Sequence, residues 1–83
     1  MALVVPTAIL KQIKAMPRAD QARMIEALEQ VAADPAVRMN FVTEMVGQPG
    51  VWRLRKGDWR ATFIVEGTDA VVTRVGNRRE IYR

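Results

Sequence analysis

Within Val51–Arg60 (VWRLRKGDWR), three arginines and a lysine sit beside two tryptophans around a Gly-Asp pair. Arginine stays protonated and presents five N–H donors in a planar fork, so it suits holding an oxyanion and does not suit removing a proton. Gly57-Asp58 between two alternating runs signals a two-residue hairpin turn. That turn sets Lys56 opposite Trp59, Arg55 opposite Arg60, Leu54 opposite Ala61, Arg53 opposite Thr62 and Trp52 opposite Phe63. Side chains alternate along a strand. Arg53, Arg55, Arg60 and Thr62 therefore share one face, and Trp52, Leu54, Trp59, Ala61 and Phe63 share the other. Like charges directly across a sheet cost some tenths to about 1 kcal/mol, so an Arg55–Arg60 pair disfavours folding and is rewarded by an anion. The bland alternatives are neutralisation by Glu66 or another carboxylate, or long side chains splayed into water. The two tryptophans are read as core rather than as a stacking platform.

A further hairpin decides whether Arg74 joins this face. A three-residue loop at 67–69 sets Thr62 opposite Arg74 and brings it in. A two-residue loop puts Arg74 on the apolar side, where it must snorkel. The three-residue loop is expected. Beyond Gly76 runs NRREIYR, where an extended chain points Arg78 and Arg79 to opposite sides and the one tyrosine is Tyr82.

Charge is uneven along the chain. Residues 1–50 hold five basic groups (Lys11, Lys14, Arg18, Arg23, Arg38) against five acids (Asp20, Glu26, Glu29, Asp34, Glu44). Residues 51–83 hold eight basic groups (Arg53, Arg55, Lys56, Arg60, Arg74, Arg78, Arg79, Arg83) against four acids (Asp58, Glu66, Asp69, Glu80), so the net +4 resides there. That placement points to a localised anion-binding surface. With neither histidine nor cysteine among the 83 residues, thiolate chemistry and disulfides are excluded and a zinc site is not expected. No cofactor or metal is expected. The opening MALVVPTAIL lacks a basic n-region and a long apolar run, so neither a signal peptide nor a membrane span is expected, and the cytoplasm is the expected location.

The elements that position these residues are short. Ile9, Leu10, Ile13 and Met16 keep helical spacing, with Thr7 as the expected cap and Pro17 as the stop. Met24, Ile25, Leu28, Val31 and Ala32 repeat the pattern, with Asp20 as the expected cap and Asp34-Pro35 as the end. The short link between them favours an antiparallel helical hairpin. Residues 36–50 are less regular, with a helical turn followed by a short strand near Val42–Val46. Strands are expected at Val51–Lys56, Trp59–Glu66 and Ala70–Val75. Residues 1–83 are read as one small domain, of a size that buries roughly 60–65% of its unfolded surface.

Two blocks, WRLRKGDWR and VGNRREIY, taken with the helical hairpin and ADP at 33–35, resemble the RelE/ParE superfamily of toxin components from bacterial type II toxin–antitoxin pairs, and its RelE branch more than its ParE branch. The resemblance implies an α+β fold: two N-terminal helices packed on a small, mostly antiparallel, three- to four-stranded twisted sheet. It also implies a ribosome-dependent mRNA endonuclease. The 2′-hydroxyl would attack the adjacent phosphate without a metal, leaving a 2′,3′-cyclic phosphate and a 5′-hydroxyl. Carried over by position, the catalytic residues are Arg53, Arg55, Arg60, Arg78 and Tyr82. Lys56, Arg74, Arg79 and Arg83 are the expected RNA contacts. Two departures bear on proton transfer: Asn77 stands where many relatives have His or Lys, and the chain ends one residue after Tyr82 without a further C-terminal helix.

The arginines can hold phosphate oxygens in pairs and stabilise developing charge. Tyr82 is then the candidate base, although a reference pKa near ~10 suits neutral pH poorly. Its other readings are stacking on a base or pinning the C-terminus. Implied partners are a cognate antitoxin, the ribosome and mRNA, with operator DNA reached only through the antitoxin and no membrane. Two other functions fit the same residues: a ParE-like inhibitor of DNA gyrase, and a degenerate toxin acting only as co-repressor with its antitoxin.

Overall fold

The first helix begins at a proline. In this computed structural model, which describes residues 2–33, 42–45, 47 and 49–81, α1 covers Thr7–Lys14 and buries Ile9 and Ile13. Pro6, not Thr7, occupies the N-cap, and no side chain caps the helix. The Pro6 carbonyl instead accepts from the amides of Ile9 and Leu10, each at 2.9 Å. The helix stops at Lys14, and Met16 is buried just beyond its end.

Helix α2 spans Arg18–Ala33. It starts two residues before Asp20, which therefore lies in the first turn rather than at the cap, where its charge still faces the amide end of the helix dipole. The buried stripe is Met24, Ala27, Leu28, Val31 and Ala32, and Ile25 is exposed. Met24, Ala27, Leu28 and Val31 hold the i, i+3, i+4, i+7 spacing; Ile25 falls about 100° round the helix from Met24. The expected stop at Asp34-Pro35 and the expected helical turn after it lie outside the described residues.

Gln21 ties the two helices together. Its Nε2 donates to the carbonyls of Lys14 at 3.1 Å and Met16 at 2.6 Å, closing acceptors that the end of α1 leaves without helical partners. Gln21→Ala removes both bonds. It is expected to cost about 1–2 kcal/mol and to lower the thermal midpoint by several degrees, read by circular dichroism.

Five strands form one sheet in the order β1-β5-β4-β3-β2. They are β1 (Ala2–Val4), β2 (Val42–Glu44), β3 (Val51–Lys56), β4 (Trp59–Glu66) and β5 (Asp69–Asn77). All neighbours are antiparallel except β1 and β5. The expected α+β class and mostly antiparallel sheet hold. The added strand is β1, too short for its alternation to be read and paired with a segment more than sixty residues away (Ala2 with Asp69). β3 and β4 have the expected bounds; β5 extends past both expected ends.

Ile9, Ile13, Met16, Met24 and Leu28 from the helical hairpin pack with Leu54, Ala61, Phe63, Val72 and Val75 from the sheet in one core. Trp52 and Trp59 pack partly buried against it, on the side expected for them. β1 covers β5 only as far as Val71. Farther along, the Val75 amide donates to Gln12 Oε1 of α1 at 3.2 Å, so a helix side chain takes over where the edge strand ends. Arg78–Ile81 forms a short helix, α3, where an extended chain was expected. No helix among the described residues is long and apolar enough to cross a membrane.

Candidate functional site

The β3–β4 register is the one Gly57-Asp58 demands. Arg55 pairs with Arg60, Arg53 with Thr62, and Leu54 with Ala61. Gly57 takes φ +60°, the left-handed region that this tight turn needs and that other residues enter at a cost. Leu54 and Ala61 have no exposed surface, so the face carrying Arg53, Arg55, Arg60 and Thr62 is the one turned away from the helices.

The second hairpin corrects the loop expectation. Glu66 pairs with Asp69, so the turn has two residues, Gly67-Thr68. Uninterrupted, that register would send Arg74 to the core side. A β-bulge intervenes: Phe63 pairs with Val72 and Thr62 with Arg74, leaving Thr73 as the extra residue. A bulge re-aims the side chains beyond it. Val72 and Val75 are both buried while Thr73 and Arg74 between them are both exposed. Arg74 thus joins the basic face for a reason other than the one expected. Thr62, only 8% exposed, lies between Arg53 and Arg74 in this row, and its Oγ1 is 2.8 Å from Thr73 Oγ1. At ordinary strand spacing Arg53 and Arg74 start about 10 Å apart across it.

In the neighbouring row stand Arg55, Arg60 and Gly76. Arg60 is 9% exposed and is not splayed into water. Its Nη1 donates to the carbonyls of Gly57 at 2.7 Å and Trp59 at 2.9 Å. The guanidinium is therefore held rigidly by its own hairpin turn. Glu66 does not neutralise this pair, being paired with Asp69 at the opposite end of β4, six residues and about 20 Å from Arg60.

The C-terminal arginines enter through α3. The Arg78 amide donates to the Asp58 carbonyl at 2.8 Å, and its Nε lies 4.0 Å from Asp58 Oδ1, both side chains being exposed. Arg78 is thereby brought to the end of the hairpin that carries Arg55 and Arg60. Arg79 is exposed on the same helical turn, its amide donating to Asn77 Oδ1 at 3.0 Å. Lys56 is not gathered with the arginines: it pairs with Trp59 and shares the alternation of Leu54, on the helix side. Tyr82 and Arg83 lie outside the described residues. Among the described residues no three His, Cys, Asp or Glu side chains come together as a metal site would need.

Sequence reasoning missed three residues: Thr73 as the bulge, and Asp58 and Asn77 as partners of Arg78 and Arg79. Asn immediately before a helix is a cap signal, but a helix of four residues has no periodicity to announce it.

Helices on one sheet face and arginines aligned on the other define the class: a small α+β protein with a basic sheet face. The sequence model described as "ParE toxin of type II toxin-antitoxin system, parDE" matches residues 6–82. The chain belongs to this toxin family, within the RelE/ParE superfamily of type II toxin–antitoxin systems. Its fold is similar to a chain of the RelB–RelE antitoxin–toxin complex from Methanococcus jannaschii, with a TM-score of 0.78 and 20% identity over 95% of this chain and 94% of that one. A chain of the RelE–RelB complex from Pyrococcus horikoshii OT3 scores 0.78 at 20% identity, covering 95% and 96%. The isolated RelE toxin of E. coli scores 0.76 at 20% identity, covering 98% and 89%. At this identity the likeness is one of fold. No curated protein matches the chain.

Proposed function

We propose that this toxin is an mRNA endonuclease acting on the ribosome, with Arg53, Arg55, Arg60 and Arg78 holding the scissile phosphate and stabilising charge as the 2′-hydroxyl attacks it. The observation that carries this reading is the placing of Arg55 directly across from Arg60, beside the Arg53–Thr62–Arg74 row, on the sheet face opposite the helices. Fixed, always-charged donors are what a developing phosphorane needs. Arg74, Arg79 and Arg83 contact flanking phosphates. Lys56, on the other side of the alternation, flanks the hairpin end. Tyr82 acts as base or stacks on a nucleobase; the arginines do neither proton removal nor donation at neutral pH. The cognate partner is an antitoxin, as RelB is for RelE in the complexes of similar fold, and operator DNA is met only through it. The chain works in the cytoplasm, where ribosomes are.

A second reading is favoured by one observation: the matching sequence model is that of ParE toxins. In that reading the same basic face binds DNA gyrase and catalyses nothing. Incubation with programmed ribosomes, and separately with gyrase and supercoiled plasmid, separates the two. Cleaved mRNA ending in a 2′,3′-cyclic phosphate, with supercoiling untouched, is the expected result. Intact mRNA with inhibited supercoiling would overturn it in favour of gyrase binding. Absence of growth arrest on expression without antitoxin would leave only the co-repressor role.

A further inference from the structure

Strand β5 ends at Asn77 and α3 begins at Arg78. A helix of four residues does not sustain itself, because fixing its first turn costs more than its few internal bonds return. Its leading amides need partners from outside. Two have them. The Arg78 amide donates to the Asp58 carbonyl at 2.8 Å, and the Arg79 amide donates to Asn77 Oδ1 at 3.0 Å. Asn77 pairs in register with Trp59, so this cap sits directly beside the hairpin turn. The turn is also gripped by Arg60 Nη1 on the carbonyls of Gly57 and Trp59. Three successive carbonyls, 57, 58 and 59, thus accept from Arg60 and Arg78.

We infer that Asn77 is a positioning residue for Arg78: its side chain turns the chain out of β5 into α3, and the Asp58 carbonyl then locks Arg78 to the hairpin turn that also holds Arg60. The Arg60 guanidinium and the Arg78 backbone, far apart in sequence, are given a common anchor, which confines the region that the Arg78 side chain can reach. Such preorganisation matters where charge develops in a transition state. The Asp58 carboxylate adds little, because the ion pair is long and exposed. The inference rests on the reading of Arg78 as a phosphate ligand, deepening it by naming what aims that ligand.

The test uses the full chain with Asn77→Ala, Asn77→Ser and Asp58→Asn. On programmed ribosomes, Asn77→Ala is expected to lower kcat about tenfold with KM within about twofold, the pattern of an interaction made in the transition state. Asn77→Ser keeps a capping oxygen and is expected to recover to within about threefold of wild type. Asp58→Asn keeps the carbonyl and the turn and is expected to change kcat less than about threefold. Hydrogen exchange at the Arg78 and Arg79 amides is read in the same variants without any RNA. Faster exchange in Asn77→Ala that Asn77→Ser reverses is expected. Unchanged exchange in Asn77→Ala, unchanged kcat despite faster exchange, or a loss that serine does not restore would each overturn the positioning role. If the wild type cuts no RNA while the exchange pattern holds, the cap stands and the nuclease reading falls.

Discussion

Arg60→Ala is expected to lower the rate of mRNA cleavage on programmed ribosomes by about 10²–10³-fold, the effect of removing one preorganised donor from an oxyanion site. Arg60 is placed for this more firmly than an ordinary sheet arginine. With both hydrogens of Nη1 committed to the Gly57 and Trp59 carbonyls, the Nε and Nη2 edge is the bidentate fork that the proposed phosphate contact would use. Arg60→Lys should recover little, since a lysine cannot both hold two carbonyls and present a planar pair of donors. Tyr82→Phe is expected to cost less than Arg60→Ala if electrostatics and alignment dominate over proton transfer. Near-equal single-turnover rates for wild type and Arg60→Ala would defeat that ordering. The variant also loses two bonds that staple the turn, so a stability loss of about 1–3 kcal/mol is expected, and rates should be compared at a temperature where both forms are folded.

Leu54→Ala is expected to have the largest effect on stability, about 2–5 kcal/mol. Leu54 stands between Arg53 and Arg55 on the other side of the strand, has no exposed surface, and faces Ala61, which has none either. A neighbour as small as alanine cannot swell to fill the space, so the transfer loss is joined by a cavity term. A domain of this length has a total stability of about 4–12 kcal/mol, and a substitution of this kind removes a large part of it. Urea titration should show the midpoint falling by about 2 M or more at an m-value near 1 kcal/mol/M. A shift under about 0.5 M would mean that the two sheet faces have been assigned the wrong way round. The variant changes no charge, so any loss of activity below the midpoint reports on the scaffold under the arginines and not on the arginines themselves.

The hairpin at the centre of the site is legible in ten residues. Gly57-Asp58 carries its own turn geometry, alternation has a period of two, and together they settle which of Arg53, Leu54, Arg55, Arg60 and Ala61 face the helices. Both helices are legible for the same reason, although their first residues are not. Pro6 displaces Thr7 from the cap, and α2 opens before Asp20; helix starts depend on which neighbouring groups accept the first amides.

The rest was decided by contacts between residues far apart in the chain. The loop at Gly67-Thr68 is shorter than expected, yet Arg74 still reaches the basic face, because Thr73 bulges where Val72 and Val75 must both enter the core. No local pattern in VVTRV declares that irregularity; it is the solution to packing one strand against two helices and a neighbour. β1 exists because β5 offers it a parallel edge. α3 exists because Asp58 and Asn77 satisfy its amides. What the residues determined alone is the chemistry available, guanidinium groups on alternating positions of a tight hairpin; how many of them meet, and how firmly Arg60 and Arg78 are held, was decided only by the closing of the fold, since backbone groups left without local partners must find distant ones.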